Sequence, residues 1–400
     1  MTEKMTLCAN LSAVPEFNDL VFNSSCTNGL KLNKVECKTN NPEGYKYKVI
    51  TYDKRVLCYD NIRSFGLCRS IIVNEDNQVL CFAPHKSIAS DIFIKKYPNL
   101  NSSIIAEEFV EGTMINVFWD PKIGISGAWE ITTRNTVGAV SSFFKSKNTK
   151  TFRVMFIEAM KQNNIILDRL NKLFCYSFVL QHPENRIVVP FSKPELYLVG
   201  LYHISNEINN IRVYKYNLYD SNSKEIDIDV INFIGLDETN IRFPEKYNAK
   251  SYSELIEKYA SMNTPYHIMG IHLHNIETGD RTKIRNPIYE QVRQLRGNQP
   301  KLQYQYLCLR KEGKVKDFLS YYPENKHDFS QFRDQVHLFT NTLHNNYISC
   351  YIKKEQPLLN YQEQYRTHMY NIHQHFINDL REKNMRVTNT VVIKYVNEYP

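Results

Sequence analysis

The sequence predicts an α+β protein in which a strand-rich domain is followed by a mostly α-helical domain. Between residues 48 and 285, short apolar runs are separated by turn residues, which is typical of strands. From residue 286 onward, apolar residues recur every three to four positions, which is typical of amphipathic helices. The net charge of +8 changes near the same place, because residues 1–280 are neutral and residues 281–400 carry all of it.

These observations divide the chain into three predicted segments. Residues 1–48 have weak periodicity and turn signals such as Asn28-Gly29, so we expect an N-terminal extension, irregular or with a few short strands. A domain at residues 49–285 and a helical C-terminal domain at residues 286–400 follow. The strands predicted for the middle segment lie at residues 70–73, 79–82, 114–119, 129–133, 174–180, 186–189, 196–202 and 267–272. The predicted helices lie at residues 151–163, 251–261, 288–295, 329–347 and 361–380.

Composition excludes several classes of protein. With 42% hydrophobic and 23% charged residues, the chain is typical of a folded globular protein. It lacks an apolar stretch long enough to span a bilayer, and its first residues lack a signal core, so we expect neither a membrane protein nor a conventionally secreted one. Nine scattered cysteines without a Cys-x-x-Cys pair indicate reduced thiols, which favours a cytoplasmic location. Phosphate-binding P-loop and Rossmann glycine motifs are absent from the sequence.

The densest positive charge lies in residues 281–320, which contain ten basic and three acidic residues. Tyrosines such as Tyr289 and Tyr304 interleave with these cations. Phosphate-binding cations together with stacking platforms suit single-stranded nucleic acid, so RNA is a predicted partner. A solvated basic face or an acidic protein partner fits the same composition. The candidate RNA-binding cations of this stretch that lie beyond residue 286 are Arg293, Arg296 and Lys301.

Histidines occur in two groups that deserve a test for metal binding. His272 and His274 alternate along a predicted strand and so share a face. A second group lies in a predicted helical stretch and consists of His368, His373 and His375. Because neither group has a carboxylate at ligand spacing in the sequence, we predict that neither forms a metal site.

Four segments carry suggestive residues in chain order. Arg69 precedes an acidic turn and Lys86, and a second segment reads Glu108-Phe-Val-Glu-Gly-Thr-Met. Asn185-Arg-Ile-Val follows an apolar strand, and Met269-Gly precedes Arg281-Thr-Lys-Ile-Arg. Over residues 50–290 these segments together resemble the phage-type ATP-dependent RNA ligases, which are RNA ligase 1-like members of the covalent nucleotidyltransferase superfamily. The resemblance implies an ATP-grasp-like domain of antiparallel sheets, and the helical remainder resembles the C-terminal domain that such ligases append.

The resemblance also identifies three positions at which this sequence departs from the family. Such ligases attack ATP with a lysine amine, pass AMP to an RNA 5′-phosphate and then seal the RNA. Phe109 stands where the family has that lysine, and Val179 and Met269 stand where it has glutamates, of which the second is associated with metal. A phenyl ring has no lone pair with which to form a phosphoramide, so we expect no catalytic residue here. Read without the family, all three are ordinary core side chains.

Other family positions are retained, and they are the ones that handle phosphate or hold the structure. They are Arg69, Lys86, Asn185, Arg186 and Lys283, with Arg285 in place of a second lysine. We therefore predict phosphate or RNA binding by the cations of this set. Surface lysines and a structural turn at Asn185-Arg186 explain the same residues without a ligand. Lys86 and Lys122 are conceivable substitute nucleophiles, although neither lies in a Lys-x-acidic-Gly setting.

The favoured hypothesis is a catalytically inactive RNA ligase-like protein. It would bind RNA, a nucleotide or cap-like group, or partner proteins in an RNA-processing or translation complex. No cofactor is expected under this hypothesis. The resemblance and the composition of the chain suggest that it comes from a large DNA virus that replicates in host cytoplasm. One alternative is an active ligase with an unusual nucleophile or a preadenylated substrate, which would use ATP and Mg²⁺. Another alternative is a structural or scaffold protein, such as a virion component, with a repacked cavity.

Overall fold

A computed structural model describes residues 4–23, 28–40, 42–143, 149–208, 210–219, 226–299 and 301–399. The chain forms two compact units, Met1–Gln291 and Val292–Pro400. Within the described residues, the first unit contains all of the strands and the second contains helices. The predicted α+β class, strand-rich first and helical afterwards, is confirmed.

Antiparallel pairing joins the strands of the first unit into three sheets. The six-stranded sheet has the order β1-β11-β10-β9-β7-β8, the four-stranded sheet the order β2-β3-β4-β5, and the three-stranded sheet the order β13-β12-β6. The strands are β1 (Met5–Asn10), β2 (Leu30–Cys37), β3 (Tyr45–Tyr52), β4 (Ile71–Val73), β5 (Val79–Phe82), β6 (Ile104–Glu108), β7 (Thr113–Asp120), β8 (Ala128–Thr132), β9 (Phe174–Gln181), β10 (Glu195–Glu207), β11 (Asn210–Tyr216), β12 (Gly270–Asn275) and β13 (Arg281–Arg285).

Helices surround these sheets and make up the second unit. The helices that begin in the first unit are α1 (Pro15–Asn18), α2 (Ser90–Lys96), α3 (Phe152–Gln162), α4 (Ile228–Phe233), α5 (Tyr252–Tyr259) and α6 (Pro287–Arg296). Those of the second unit are α7 (Leu302–Lys311), α8 (Val315–Tyr321), α9 (Lys326–Tyr347), α10 (Glu363–His375) and α11 (Asn389–Glu398). The apolar faces of α9, α10 and α11 pack around Leu343, Tyr347, Met369 and Val392, all almost fully buried.

Strand β9 shows how alternation directs side chains in the six-stranded sheet. All eight of its residues are buried, so both faces of the strand are covered. Tyr176 and Phe178 pack in the core under α3, where the rings of Phe178 and Phe156 lie 5.7 Å apart. Because successive side chains point to opposite faces, Val179 faces away from this core. It packs instead in a small apolar cluster with Val110.

The three-stranded sheet separates apolar from charged side chains in the same way. Its apolar face includes Ile271 and Leu273, which pack in a core with residues of α2 and α5. In the register, His272 lies opposite both Lys283 of β13 and Glu107 of β6. Directly opposed residues in antiparallel strands share a face, so these three side chains form one row across the sheet. The second face of this sheet therefore carries ionisable groups.

The described part of residues 1–48, for which the sequence predicts an extension that is irregular or has a few short strands, belongs to the first unit. Strand β1 pairs with β11 in the six-stranded sheet, and β2 pairs with β3 in the four-stranded sheet. Phe17 and Leu11 are fully buried in a core shared with Phe82 and Tyr202. Long-range pairing and burial thus incorporate this segment into the first unit, which local sequence patterns do not reveal.

The predicted strand at residues 186–189 is wrong. After a short 3₁₀ turn at Pro183–Asn185, the chain continues as an irregular segment. The backbone N–H groups of Val188 and Val189 donate to the buried carboxylate of Glu111, at 2.8 and 3.1 Å. A side chain therefore satisfies the backbone donors that a neighbouring strand would otherwise take.

Stability of the first unit is expected to depend strongly on Phe156. Its ring is fully buried between α3 and β9, so Phe156→Ala should lower the free energy of unfolding by about 3–5 kcal/mol. Val154→Ala on the same helix is the control, because Val154 is 42% exposed and should cost less than about 1 kcal/mol. Urea unfolding followed by circular dichroism measures both values. Equal losses for the two variants would contradict the described packing of α3.

Candidate functional site

A cavity of about 580 Å³ adjoins the charged face of the three-stranded sheet. Its volume is that of a typical small-ligand site. Strands β1, β9, β10 and β11 complete the wall with side chains such as Cys8, Val179, Tyr202 and Lys215. The cavity is therefore formed between two sheets of the first unit, and alternation along each strand decides which residues reach it.

The three positions that depart from the RNA ligase pattern all line this cavity. Phe109 follows the end of β6, and its backbone N–H donates to the carbonyl of Gly270, 3.2 Å away. Val179 is 6% exposed, and Met269 lies immediately before Gly270 at the start of β12. The fold thus brings Phe109, Val179 and Met269 together, although they are far apart in sequence.

Two cations lie against the ring of Phe109. The Lys283 ammonium lies 5.0 Å from the ring centroid, and the Arg285 guanidinium lies 5.8 Å from it. These distances are within the range of cation–π attraction, whose strength is about 0.5–2 kcal/mol. Phe109 therefore supports two cations at the point where the resemblance would place a lysine.

Cations outnumber their acidic partners around Lys283. Burial, together with the neighbouring Arg69 and Arg285, lowers the pKa of Lys283 to about 7. No described carboxylate lies within ion-pair distance of its amine. Arg285, in contrast, is paired with Glu290 at 2.6 Å. An incompletely neutralised group of buried cations attracts anions such as phosphate.

The predicted phosphate-binding residues do not all reach the same place. Arg69, Lys283 and Arg285 line the 580 Å³ cavity, and burial lowers the pKa of Arg69 to about 10. Lys86 lines a second, more open pocket of about 450 Å³, whose wall also includes Lys283 and Arg285. Lys122 is paired with Asp76 at 3.0 Å and lines neither cavity.

Asn185 and Arg186 make structural contacts around the irregular segment. The Asn185 side-chain amide donates to the Thr113 hydroxyl at 2.8 Å, and Arg186 Nε donates to the Val188 carbonyl at 3.0 Å. The Glu111 carboxylate accepts hydrogen bonds from backbone N–H groups of the same segment, and burial raises the pKa of this carboxyl group. These contacts hold the turn before β7 against the segment that follows β9, and neither residue lines the cavity.

Glycine is required at Gly112 in that turn. Its φ of +149° is unfavourable for other residues, and a Cβ atom there would lie 2.5 Å from the Leu180 carbonyl oxygen. The acidic-Gly pair that the sequence shares with RNA ligases therefore has a local structural reason in this chain.

The remaining predicted cations belong to the second unit. Arg293 and Arg296 lie on α6 after the point where the units divide, and Lys301 immediately precedes α7. Of the basic stretch at residues 281–320, only Arg281, Lys283 and Arg285 line the cavity, which the first unit alone forms. The stretch is therefore not one continuous site.

The prediction that the histidines lack a carboxylate is wrong for His272 and His274. Glu107 Oε1 lies 2.8 Å from His272 Nδ1 and 3.7 Å from His274 Nδ1. Burial lowers the pKa of His272 to about 4 and that of His274 well below its usual range. Glu107 comes from a different strand, so no sequence spacing could reveal that it lies beside the histidines. The one available signal is that Glu107 precedes Phe109 by two residues, which is the spacing of side chains on the same face of a strand.

The histidines of the second unit have other contacts. His368 Nδ1 lies 3.0 Å from the Tyr395 hydroxyl, and the ring of His373 stacks on that of Tyr351 at 3.9 Å. His375 pairs with Asp379 on the exposed surface. Of the residues that the structure describes, only Glu107, His272 and His274 form a group of three potential metal ligands.

Comparison with known proteins confirms the RNA ligase-like relationship. The chain is 21% identical over 205 residues to an RNA ligase of Rhodothermus phage RM378, in 47% of this chain and 45% of that protein. It is 25% identical over 354 residues to an immediate-early protein ICP-46 homolog of Invertebrate iridescent virus 6, in 77% of this chain and 72% of that protein. The match thus spans less than half of the phage ligase. No protein-family model matches the chain.

Solved structures that resemble the chain are also RNA ligases. An archaeal ATP-dependent RNA ligase gives a TM-score of 0.41 at 11% identity, over 81% of this chain and 76% of that one. A variant of the Naegleria gruberi RNA ligase with ATP and Mn gives a TM-score of 0.34 at 8% identity, over 53% of this chain and 58% of that one. Separately, no helix in the described ranges combines the length and apolar character needed to cross a membrane.

Asn185 is expected to contribute to stability rather than to ligand binding. Asn185→Ala leaves the Thr113 hydroxyl without its donor, so it should lower the free energy of unfolding by about 1–2 kcal/mol. Nucleotide affinity, measured by isothermal titration calorimetry on the folded variant, should not change. A large loss of affinity without a loss of stability would show that Asn185 contacts the ligand.

Proposed function

We propose that this RNA ligase-like chain forms no covalent nucleotide adduct and instead binds a phosphate-bearing ligand in the 580 Å³ cavity. The ligand would be a nucleotide, a cap-like group or the phosphorylated end of an RNA. The observation that carries the proposal is Phe109, which lines the cavity beneath Lys283 and Arg285 at the position that corresponds to the nucleophilic lysine.

The loss of reactive groups supports the inactive part of this proposal. Nucleotidyl transfer needs a lone pair that attacks the α-phosphorus, and the side chain of Phe109 offers none. Val179 and Met269 also line the cavity and provide no oxygen for a metal ion. Three reactive side chains are thus replaced by apolar ones, within one continuous wall.

The open cavity supports a binding role over a purely structural one. A scaffold protein with a repacked core would be expected to fill this space with side chains or to pair its cations internally. Here the largely buried Lys283 faces the cavity, and burial together with neighbouring cations lowers its pKa to about 7. Keeping a buried ammonium group near other cations costs stability, and an anionic ligand would offset that cost.

Partners and location remain predictions. The RNA ligase-like relationship and the basic residues 281–320 favour RNA or a nucleotide as ligand. Protein partners in an RNA-processing or translation complex, a cytoplasmic location and a virion role stay untested predictions. Both matched relatives are viral proteins, which supports a viral origin.

A second candidate function is nucleotidyl transfer with Lys283 as nucleophile. A lysine with a pKa of about 7 is partly neutral at pH 7, so its amine has an available lone pair. Glu107 and Glu108 also line the cavity and supply carboxylates near the sheet. Lys283 therefore replaces Lys86 and Lys122 as the leading substitute nucleophile.

Intact-mass spectrometry separates the two functions. After incubation with ATP or GTP and Mg²⁺ or Mn²⁺, we expect the mass of the protein to stay unchanged. Lys283→Ala and Lys86→Ala are the matched variants. An added nucleoside monophosphate would overturn the inactive assignment, and its loss in Lys283→Ala would identify the nucleophile.

Ligand affinity is expected to fall as the pH rises through about 7. The protonated ammonium of Lys283 attracts phosphate, and deprotonation removes that attraction, so affinity should fall by up to about tenfold per pH unit above 7. Calorimetric titrations with ATP and with a 5′-phosphorylated RNA oligonucleotide between about pH 6 and pH 9 measure this slope.

Two variants of Lys283 serve as controls for the pH dependence. Lys283→Arg stays charged, so its affinity should be flat over the same range. Lys283→Met should bind weakly at every pH. The free energy of unfolding of Lys283→Met at pH 6 should be higher than that of the wild type. At this pH the wild-type protein must bury a charged ammonium group, which the folded state disfavours, and the variant has no such group. If neither probe binds the wild-type protein, a structural role replaces the proposed one.

A further inference from the structure

Three potential metal ligands lie side by side on the charged face of the three-stranded sheet. His272 and His274 project from β12, and Glu107 projects from the adjacent strand β6, directly opposite His272 in the register. All three line the 580 Å³ cavity. Two imidazoles and one carboxylate are a common ligand set for zinc and related divalent ions.

The distances between the donor atoms suit a small divalent ion. One donor atom of each side chain lies within 4.8 Å of the other two. Ligands of a tetrahedral zinc ion, at about 2.1 Å from the metal, lie about 3.4 Å from one another. The distances of 2.8 and 3.7 Å from Glu107 Oε1 to the two Nδ1 atoms bracket that value.

Two imidazole nitrogens of the group are buried and lack a partner. His272 Nε2 and His274 Nδ1 have no hydrogen-bond partner among the described residues, and His274 is only 7% exposed. An unsatisfied buried polar atom costs about 1–3 kcal/mol. A metal ion shared by the two Nδ1 atoms and Glu107 Oε1 provides the missing partner of His274 Nδ1. It replaces the direct contact of His272 Nδ1 with Glu107 and leaves His272 Nε2 unchanged.

The carboxylate is held in place by a neighbour. The Tyr219 hydroxyl donates to Glu107 Oε2 at 3.1 Å, which leaves Oε1 directed toward the histidines. Outer partners of this kind orient the ligands of metal sites. Lys215 and Arg281 also line the cavity, and their positive charge opposes that of a metal ion.

We propose that Glu107, His272 and His274 bind one divalent transition-metal ion of the zinc type. Three protein ligands leave a fourth coordination position for water or a ligand oxygen from the cavity. The RNA ligase resemblance implies a different metal position, which Met269 occupies here. The inference is independent of the proposed nucleotide binding, because the three side chains form the site without a nucleotide.

Cobalt(II) titration of untagged, reduced, metal-free protein tests the site without any nucleotide. We expect one equivalent of Co²⁺ to bind and to give visible absorption bands of a tetrahedral ion, and Zn²⁺ to displace it. Each of three single variants should weaken Co²⁺ binding: Glu107→Gln, His272→Gln and His274→Gln. The loss should exceed about 100-fold, because losing only an outer partner of a metal ligand typically costs about 10- to 100-fold. His368→Gln is the matched control, since His368 lies in the second unit and should leave binding unchanged.

The outcomes are distinct from those of the nucleotide experiments. Absence of cobalt binding by the wild-type protein, or unchanged binding in folded variants of the three ligands, would refute the metal site. An intense near-ultraviolet band from a thiolate ligand would also refute the proposed site. It would indicate that cobalt binds at Cys8 instead, whose Sγ lies 3.7 Å from His85 Nδ1. Circular dichroism establishes that each variant is folded. If the variants unfold, the wild-type spectrum and stoichiometry alone decide the question.

Discussion

The antiparallel register of the three-stranded sheet is the constraint on which the candidate site depends. Because side chains alternate along each strand, β6, β12 and β13 send their apolar residues to a core with α2 and α5. The same register places Lys283, His272 and Glu107 in one row on the opposite face. A slip of one residue in β12 would exchange the two faces, so burial of Ile271 and Leu273 fixes the positions of the ionisable groups.

The chemistry of the cavity follows from which charges were kept and which are absent. Apolar side chains stand at Phe109, Val179 and Met269, so the wall lacks the groups that nucleotidyl transfer by the family mechanism requires. Cations were retained, and Lys283 lies against the ring of Phe109 without a carboxylate partner in the described residues. Such an arrangement opposes folding, and an anionic ligand would offset that cost, which is the basis of the proposed binding role.

Glu107 connects the two binding chemistries that are proposed for the cavity. Its carboxylate lies on the same row as Lys283, with His272 between them. On one side of His272 the row carries an ammonium group that suits phosphate, and on the other it carries the carboxylate of Glu107. His272 itself and His274 add the nitrogen donors that suit a metal ion. Direct cross-strand neighbours lie about 5 Å apart, so the two chemistries are close and still use separate atoms.

The sequence by itself determined the fold class, the change from strands to helices near Asn286, and the RNA ligase-like relationship. Local periodicity and motif order suffice for these, because they depend on residues close together in the chain. Sequence reasoning also identified Phe109, Val179 and Met269 as departures from the family pattern, although it gave no reason for them to meet. It left open whether residues 1–48 join the fold, because β1 finds its partner β11 about 200 residues away.

Only the tertiary structure decided what surrounds each of these residues. It placed Arg186 in a structural segment rather than in the cavity, because Glu111 binds the backbone of that segment. It supplied Glu107 as the carboxylate that His272 and His274 lack in sequence. Strand pairing brings together residues that are remote in the chain, and neither the choice of partner strand nor its register is encoded in the spacing of any single motif.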